Sequence, residues 1–304
     1  MKKILLKSAI LLTASVFLLT SCKKKDDESP DDSIQIAQAS DEANSEAEAD
    51  QAFAETDAWL SGSGAAGGRI EGNACGVTVA ADSVAGKSYT LTFSGDNCDA
   101  TRTRTGQITV NIADGKKWKD ANAVLTIVFK DYKVTRKSDS KSLVINGTHT
   151  LTNVSGGLLK DLVTGKRTAD IQHKVGGKPS ITFDDNTKRE WTVSRFKTYK
   201  KLMGDNFQVT ISGDPTMQNV AVTGTNRAGR AFTTVISTPI VVNKTCGLSK
   251  PVSGVVIHQG IERELTVTFG VDINGTPATT GCPEKFKLNW INALGKAKEI
   301  IATY

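Results

Sequence analysis

The chain has 304 residues, with 38 lysines and arginines against 32 aspartates and glutamates, for a net charge of +6. One strongly apolar stretch, Ser8 to Thr20, opens it, and its thirteen uncharged residues fall short of the ~20 that a membrane-spanning helix needs. Composition therefore argues against a helical membrane protein and leaves an exported domain with an unevenly spread charge.

The start reads as a secretory signal over residues 1–21. Met1-Lys2-Lys3, helped by Lys7, is a basic n-region, and Ser8 to Thr20 is the apolar h-region. Leu19-Thr20-Ser21-Cys22 follows, with a small residue before the cut and a cysteine directly after it. This is the pattern of a lipobox. The chemistry needs Cys22 because its sulfur, as a thiolate, is the atom alkylated with diacylglycerol. A single acyl chain anchors marginally, whereas two or three on Cys22 hold durably, which makes palmitate-type acylation the expected modification.

With the signal removed, Lys2, Lys3 and Lys7 are lost and the net charge falls to +3. Residues 26–57 hold twelve acidic residues and no basic ones, while residues 58–304 hold twenty acidic against thirty-two basic, a balance of +12. An acidic leader thus precedes a basic body. That asymmetry predicts attraction between the two, or a bias of the body toward anionic partners.

Residues 23–33 are charged and contain Pro30, as a solvated tether does. Residues 34–60 are rich in Ala, Glu and Gln. Ala43, Ala47, Ala54 and Ala58 recur at helical spacing beside Phe53 and Trp59, which predicts a short helix with Asp32 or Ser33 as N-cap and a thin apolar stripe. Ser61-Gly62-Ser63-Gly64 and Gly67-Gly68 then break the pattern, so residues 22–68 form the anchor, tether and helix.

From Arg69 the period becomes two. Tyr89, Leu91 and Phe93 alternate with threonines, as do Ile108, Val110 and Ile112, then Phe207, Val209 and Ile211, and later Leu265, Val267 and Phe269. Phe286, Leu288 and Trp290 close the series. Half-buried antiparallel strands carry this signature. The expected fold of residues 69–304 is all-β, an antiparallel meander that is sandwich-like or an elongated twisted sheet. A division into two lobes would fall near the glycine pairs at 156–178. Turns are expected at Asn146-Gly147, at Asn226 to Gly229, at Asp184 to Thr187 and at Asp272 to Gly275.

Four cysteines remain after Cys22. In an exported chain an even number reads as disulfides, and of the three connectivities the local one, Cys75–Cys98 and Cys246–Cys282, encloses one apparent hairpin per bridge. The two cysteine pairs and their threonine-rich strands, YTLTFSG and LTVTFG, are a weak internal echo.

Little in the sequence nominates chemistry. His149, His173 and His258 lie far apart at no metal-ligand spacing, so no metal and no cofactor is expected. Asp184 and Asp185 are adjacent, which on a strand would point them to opposite faces. No nucleophile elbow or phosphate-binding loop is present. The protein reads as a non-enzyme. The candidate ligand-binding residues are aromatics interleaved with cations: Trp118 and Tyr132 with Lys116, Lys117, Lys119, Lys130, Lys133, Arg136 and Lys137, and Trp191 and Tyr199 with Arg189, Arg195, Lys197, Lys200 and Lys201. Rings stack on sugar faces and cations pair with anions. A polysaccharide or surface-protein partner fits an exported module, whereas nucleic acid does not.

Several segments resemble the uncharacterised β-rich surface lipoproteins of Bacteroidota. Lys23-Lys24-Lys25-Asp26-Asp27-Glu28 after Cys22 looks like their charged export signal. Thr101 to Val110, and Pro239 to Val242 followed by Cys246 and Pro251 to Val255, look like recurrent segments of that group. The resemblance implies lipid anchoring on the outer face of the outer membrane and supplies no catalytic residue. Asp32-Ser33-Ile34 and Asp82-Ser83-Val84 look like the O-glycosylation acceptor of the same phylum. The expected role is that of a surface-exposed module that binds glycan or another extracellular polymer or mediates adhesion; the alternatives are a structural or accessory subunit of an outer-membrane complex and, third, an enzyme.

Overall fold

The computed structural model describes residues 36–43, 46, 48–50, 53, 56, 75–81, 88–98, 100–113, 115–204, 206–247, 250–260 and 263–304. The signal, Cys22, the tether, the helix cap, the residues Ala47, Ala54, Ala58 and Trp59, the glycine-rich break and both acceptor triplets lie outside them.

The described residues between 36 and 56 are helical and form α1. Its buried residues are Gln38, Asp41, Glu48, Ala49, Phe53 and Thr56, while Ala43 is exposed. Of the residues in the expected stripe, Ala43 is exposed and Phe53 is buried, and the described buried face carries carboxylates as well as Ala49 and Phe53.

The rest is one antiparallel sheet. It begins with β1 (Val77–Ala81), β2 (Ser88–Asp96), β3 (Arg102–Ile112), β4 (Ala123–Arg136) and β5 (Ser142–Asn153). A single helical turn, α2 (Leu159–Val163), leads into β6 (Ile171–Phe183), β7 (Lys188–Lys201) and β8 (Phe207–Gly213). Then come β9 (Val220–Thr225), β10 (Ala231–Asn243), β11 (Pro251–Gln259), β12 (Leu265–Val271), β13 (Lys285–Ile291) and β14 (Ala297–Thr303). Each strand pairs with the next along the meander, with one exception. β8 and β9 share a single place in the sheet: β8 pairs with the end of β7 from Arg195 to Lys201, and β9 with its beginning from Glu190 to Val193. Both then pair with β10.

Alternation explains why these segments are strands. On β2, Tyr89, Leu91 and Phe93 are buried and Thr90 and Thr92 are not. The inner residues of β2 to β14 join Ala49 and Phe53 of α1 in one apolar cluster. At the stretch 156–178, which runs into β6, the sheet is continuous: β5 and β6 pair from Leu143↔Phe183 to Asn153↔His173.

The sheet coils around α1. Glu46 and Glu48 project about 200° apart on a helix of 3.6 residues per turn. Yet Glu46 reaches Arg195 on β7 and Glu48 reaches Arg102 on β3. Strands four places apart would lie ~19 Å apart in a flat sheet, too far for one helix to meet with opposite sides. Only a curled sheet presents both.

One cause of the curl is the Asn146-Gly147 pair, and here the expected hairpin turn is overturned. β5 runs straight through it. The partner strand instead bulges: Phe129 faces Gly147 and Tyr132 faces Ile145, so Lys130 and Asp131 oppose Asn146 alone. Asp131 takes a positive φ of 49°. Its amide donates to Asn146 Oδ1 at 2.8 Å. Two residues against one bend and twist a sheet. The other expected turns are present. Asn226 Oδ1 accepts from the amides of Ala228 and Arg230, Asp185 Oδ1 from Thr187, and Asp272 Oδ1 from Asn274 and Thr276.

The bridges are Cys75–Cys98 and Cys246–Cys282, the local pairing. Cys75 precedes β1 and Cys98 follows β2; Cys246 follows β10 and Cys282 precedes β13. Followed through the antiparallel register, these positions clip opposite ends of the strands.

Candidate functional site: a basic interior filled by an acidic helix

β7 supplies the core of the site. Period two points Arg189, Trp191, Val193, Arg195 and Lys197 to the same inner side, and all five are buried. β3 adds the buried Arg102 and Arg104, and the β9–β10 turn adds the half-buried Arg227. Buried cations are untenable alone, since each must be paired and hydrogen-bonded to repay its desolvation. α1 provides the pairs. Glu42, Glu46 and Asp50 stand at i, i+4 and i+8 on one side of the helix. Glu42 contacts Arg189, Glu46 contacts Arg195, and Asp50 contacts Lys197 and lies 3.5 Å from Arg195. On other sides of the helix, Glu48 meets Arg102 at 2.9 Å, and Asp41 takes two bonds from Arg227, one of them from Nε at 2.6 Å.

Aromatic rings line the same interior. The guanidinium of Arg227 lies 3.7 Å from the Phe183 ring centre, and that of Arg189 lies 4.6 Å from Phe232 and 5.1 Å from Trp191. Arg104 lies 4.9 Å from Phe93 and donates from Nη2 to the Cys75 carbonyl at 3.1 Å. Phe53 of α1 meets the ring of His149 edge-on at 5.3 Å.

Burial governs the protonation of these groups. It pulls Arg195 down to about 10 and lowers Lys197, against the raising effect of Asp50. Burial raises the Asp41 carboxyl despite Arg227. Each histidine occupies a buried strand position: His149 on β5, His173 on β6 and His258 on β11. Burial, with the Lys197 charge nearby, lowers His149 to about 4 and His173 to about 3. Burial also lowers His258, whose Nδ1 shares a 3.0 Å hydrogen bond with Thr234 Oγ1. Among the described residues no group of histidines, cysteines and carboxylates is placed to hold a metal ion.

No protein-family model, curated protein or solved structure matches this chain. Its own geometry therefore carries the functional reading.

The four aromatic candidates need correction. Trp118, Tyr132 and Trp191 are buried, and Tyr199 is half-buried on the inner side of β7. Trp118 and Tyr199 both pack against His173, with ring centres 5.1 Å and 5.2 Å from it. None of the four offers an open face for a sugar. The physical reason is strand parity. On β4, Tyr132 points inward while Lys130 and Lys133 point outward; on β7, Trp191 points inward together with Arg189 and Arg195. Aromatics and cations that interleave in sequence either part to opposite faces or go inside together. The ion-paired interior itself was not anticipated residue by residue. Its signals were the twelve-residue acidic excess of the leader and the same-parity run Arg189, Arg195, Lys197.

Proposed function

We propose that this protein is a lipid-anchored, non-catalytic module of the outer-membrane surface, of the kind its first residues resemble, and that it binds a hydroxyl-rich extracellular polymer. The anchor is Cys22. The observation that supports the binding reading is the outer face of the sheet. In-register rows cross it, such as Thr90, Thr109, Val128, Thr148 and Lys178, or Thr152, Lys174, Phe196 and Ser212. Neighbouring strands set these groups ~4.8 Å apart, close to the spacing of sugars along a chain. Phe196 is half-buried on this face, with the Lys174 ammonium 5.3 Å from its ring. A glycan would meet hydroxyls, the Lys174 ammonium with its Asp214 partner 3.0 Å away, and one aromatic ring there, the combination that the buried tryptophans cannot offer.

The test is a glycan array probed with the mature protein beside Phe196→Ala. Binding that drops at least tenfold in the variant supports the outer face as the site. No carbohydrate binding at all, together with a membrane protein that co-purifies from intact cells, would replace this reading with that of an accessory subunit.

A further inference from the structure

We propose that α1 is an exchangeable element: the basic interior of one copy accepts the α1 of a second copy, so that neighbouring molecules are linked by swapped helices. The inference goes beyond glycan binding and does not depend on it. Three observations carry it. Among the described residues no backbone hydrogen bond joins α1 to a strand, so the sheet keeps its ladder when the helix leaves. Beside Ala49 and Phe53, the contact carries charge, through Glu42, Glu46 and Asp50 against Arg189, Arg195 and Lys197. Finally, α1 lies before the first disulfide, and Cys75–Cys98 holds β1 and β2 whether or not α1 is docked.

Charge distinguishes this element from an ordinary core helix. Apolar residues of similar volume in place of a buried ion pair are often as stable or more so, which makes five carboxylates on one buried helix poor design for stability alone. They are good design for a helix that must leave. In water each carboxylate is resolvated, whereas an apolar helix would expose its stripe. The carboxylate pattern also selects the occupant. The interior wants acids at i, i+4 and i+8 on one side and at i−1 and i+6 on others, and the chain's own α1 meets all five with Glu42, Glu46, Asp50, Asp41 and Glu48.

Connectivity permits the exchange. Residues 57–74 join α1 to Cys75, and eighteen residues span at most ~60 Å when extended. In one chain this tether gives α1 an effective concentration of the order of millimolar. Exchange therefore grows as copies crowd, and a dilute solution keeps α1 in its own chain. Swapping an identical element between protomers is a low-cost route to association because every contact already exists.

The pair Asp50–Lys197 supplies the readout in the unmodified protein. Mature chains with natural and heavy nitrogen are mixed at rising concentration and treated with a carbodiimide. The reagent joins the Asp50 carboxyl to the Lys197 amine as an amide, the oxygen leaving on the resulting urea. Peptides that combine one light and one heavy half, increasing with concentration, are the expected result. Same-isotope Asp50–Lys197 peptides alone, up to millimolar chain, would overturn the proposal. A second measurement uses complementary charges. Arg195→Glu and Glu46→Arg chains should each leave α1 open to proteolysis when alone. Mixed, each wild-type partner group finds its match in the other chain, so a protected dimer should form. A mixture that stays monomeric with α1 still cleaved equally contradicts exchange. Where either variant fails to fold, the isotope experiment on the wild type decides.

Discussion

On β3 and β7 the inner face carries Arg102, Arg104, Arg189, Arg195 and Lys197, whereas on β11 to β14 the same face carries Val256, Leu265, Val267, Leu288, Trp290 and Ala302 together with the buried His258. One meander therefore encloses two kinds of interior. Where the sheet wraps α1, buried charge meets buried charge. Where it does not, apolar side chains pack on one another and on Phe269, Phe286 and Tyr304, whose rings lie 5.6–6.5 Å apart. The difference teaches that strand alternation fixes which residues face inward and leaves open what they meet there. A helix with complementary charge makes a basic inner face as acceptable as an apolar one.

Breaking an ion pair in the first region should have the largest effect. Arg195→Glu places a third carboxylate beside Glu46 and Asp50 inside the protein. Removing one partner of a buried pair costs ~3–5 kcal/mol, and a reversal belongs at the upper end. Urea unfolding of the variant measures it. The comparison is sharpened by Leu265→Ala in the second region, which should cost ~2–5 kcal/mol through lost burial and a cavity. Its cost should be the same with or without Arg195→Glu, because residues that share no partner add. Strong coupling between the two would mean that the interiors are one.

The disulfides should rank next and should not distinguish the regions. Cys75–Cys98 closes 23 residues and Cys246–Cys282 closes 36. In the chain-entropy model both stabilise by ~3–4 kcal/mol, because they act on the unfolded chain rather than on either core. Paired Cys→Ser variants, compared by thermal unfolding, should fall by nearly equal amounts. A much larger loss at one bridge would show that it holds native geometry that its own region cannot.

Acid should act on both regions, since burial also lowers His258 on β11, but two of the three buried histidines belong to the first. His149 and His173 lie beside Lys197, and their folded values of about 4 and about 3 sit below the ~6.5 of an unfolded histidine. The unfolded chain therefore takes up protons first. The stability these groups contribute is complete above pH ~6.5 and is lost as pH falls toward 4 for His149 and 3 for His173, on the order of 3 kcal/mol for His149. Asp41 opposes this, since its raised carboxyl favours the folded state as pH falls. His149→Gln should flatten the loss between pH 6.5 and 4 when stability is followed by urea unfolding at each pH. An unchanged slope would assign the acid response elsewhere.

These expectations rest on residues whose parity was legible in the sequence to different degrees. Tyr89, Leu91 and Phe93 announced β2 because nothing competes with strict alternation among threonines. The local cysteine pairing was legible because each pair encloses a hairpin. Trp191 reads as a ligand platform from composition and as an interior residue from parity; Arg189, Trp191 and Arg195 are all odd-numbered on one strand and share a face. Ala43 has the spacing of a stripe residue and is exposed, because carboxylates such as Asp41 and Glu42 share the docking of α1 with Ala49 and Phe53. The coiling of the sheet was not legible at all, since it depends on pairing between β3, α1 and β7 across some hundred residues.

The smallest expected effect concerns that coiling. Gly147 has φ 100°, and a Cβ built on it would stand 2.6 Å from the Lys178 carbonyl oxygen of β6. Gly254, on β11 in the second region, has φ 132° and would meet Ile240 Cα at the same 2.6 Å. Both positions need a conformation that L side chains rarely adopt and a close approach of neighbouring backbone. Gly147→Ala and Gly254→Ala should therefore each cost ~1–3 kcal/mol. Their consequences should differ. Gly147 sits opposite the β4 bulge that bends the sheet toward α1, so its alanine variant should weaken the grip on the helix and speed proteolysis within residues 36–56. Gly254→Ala should lower the unfolding midpoint while leaving α1 as protected as before. Equal loss of helix protection in both would mean that the curl is a property of the whole sheet, and the distinction between a charge-filled and an apolar region would then describe side chains only, not the shape that holds them.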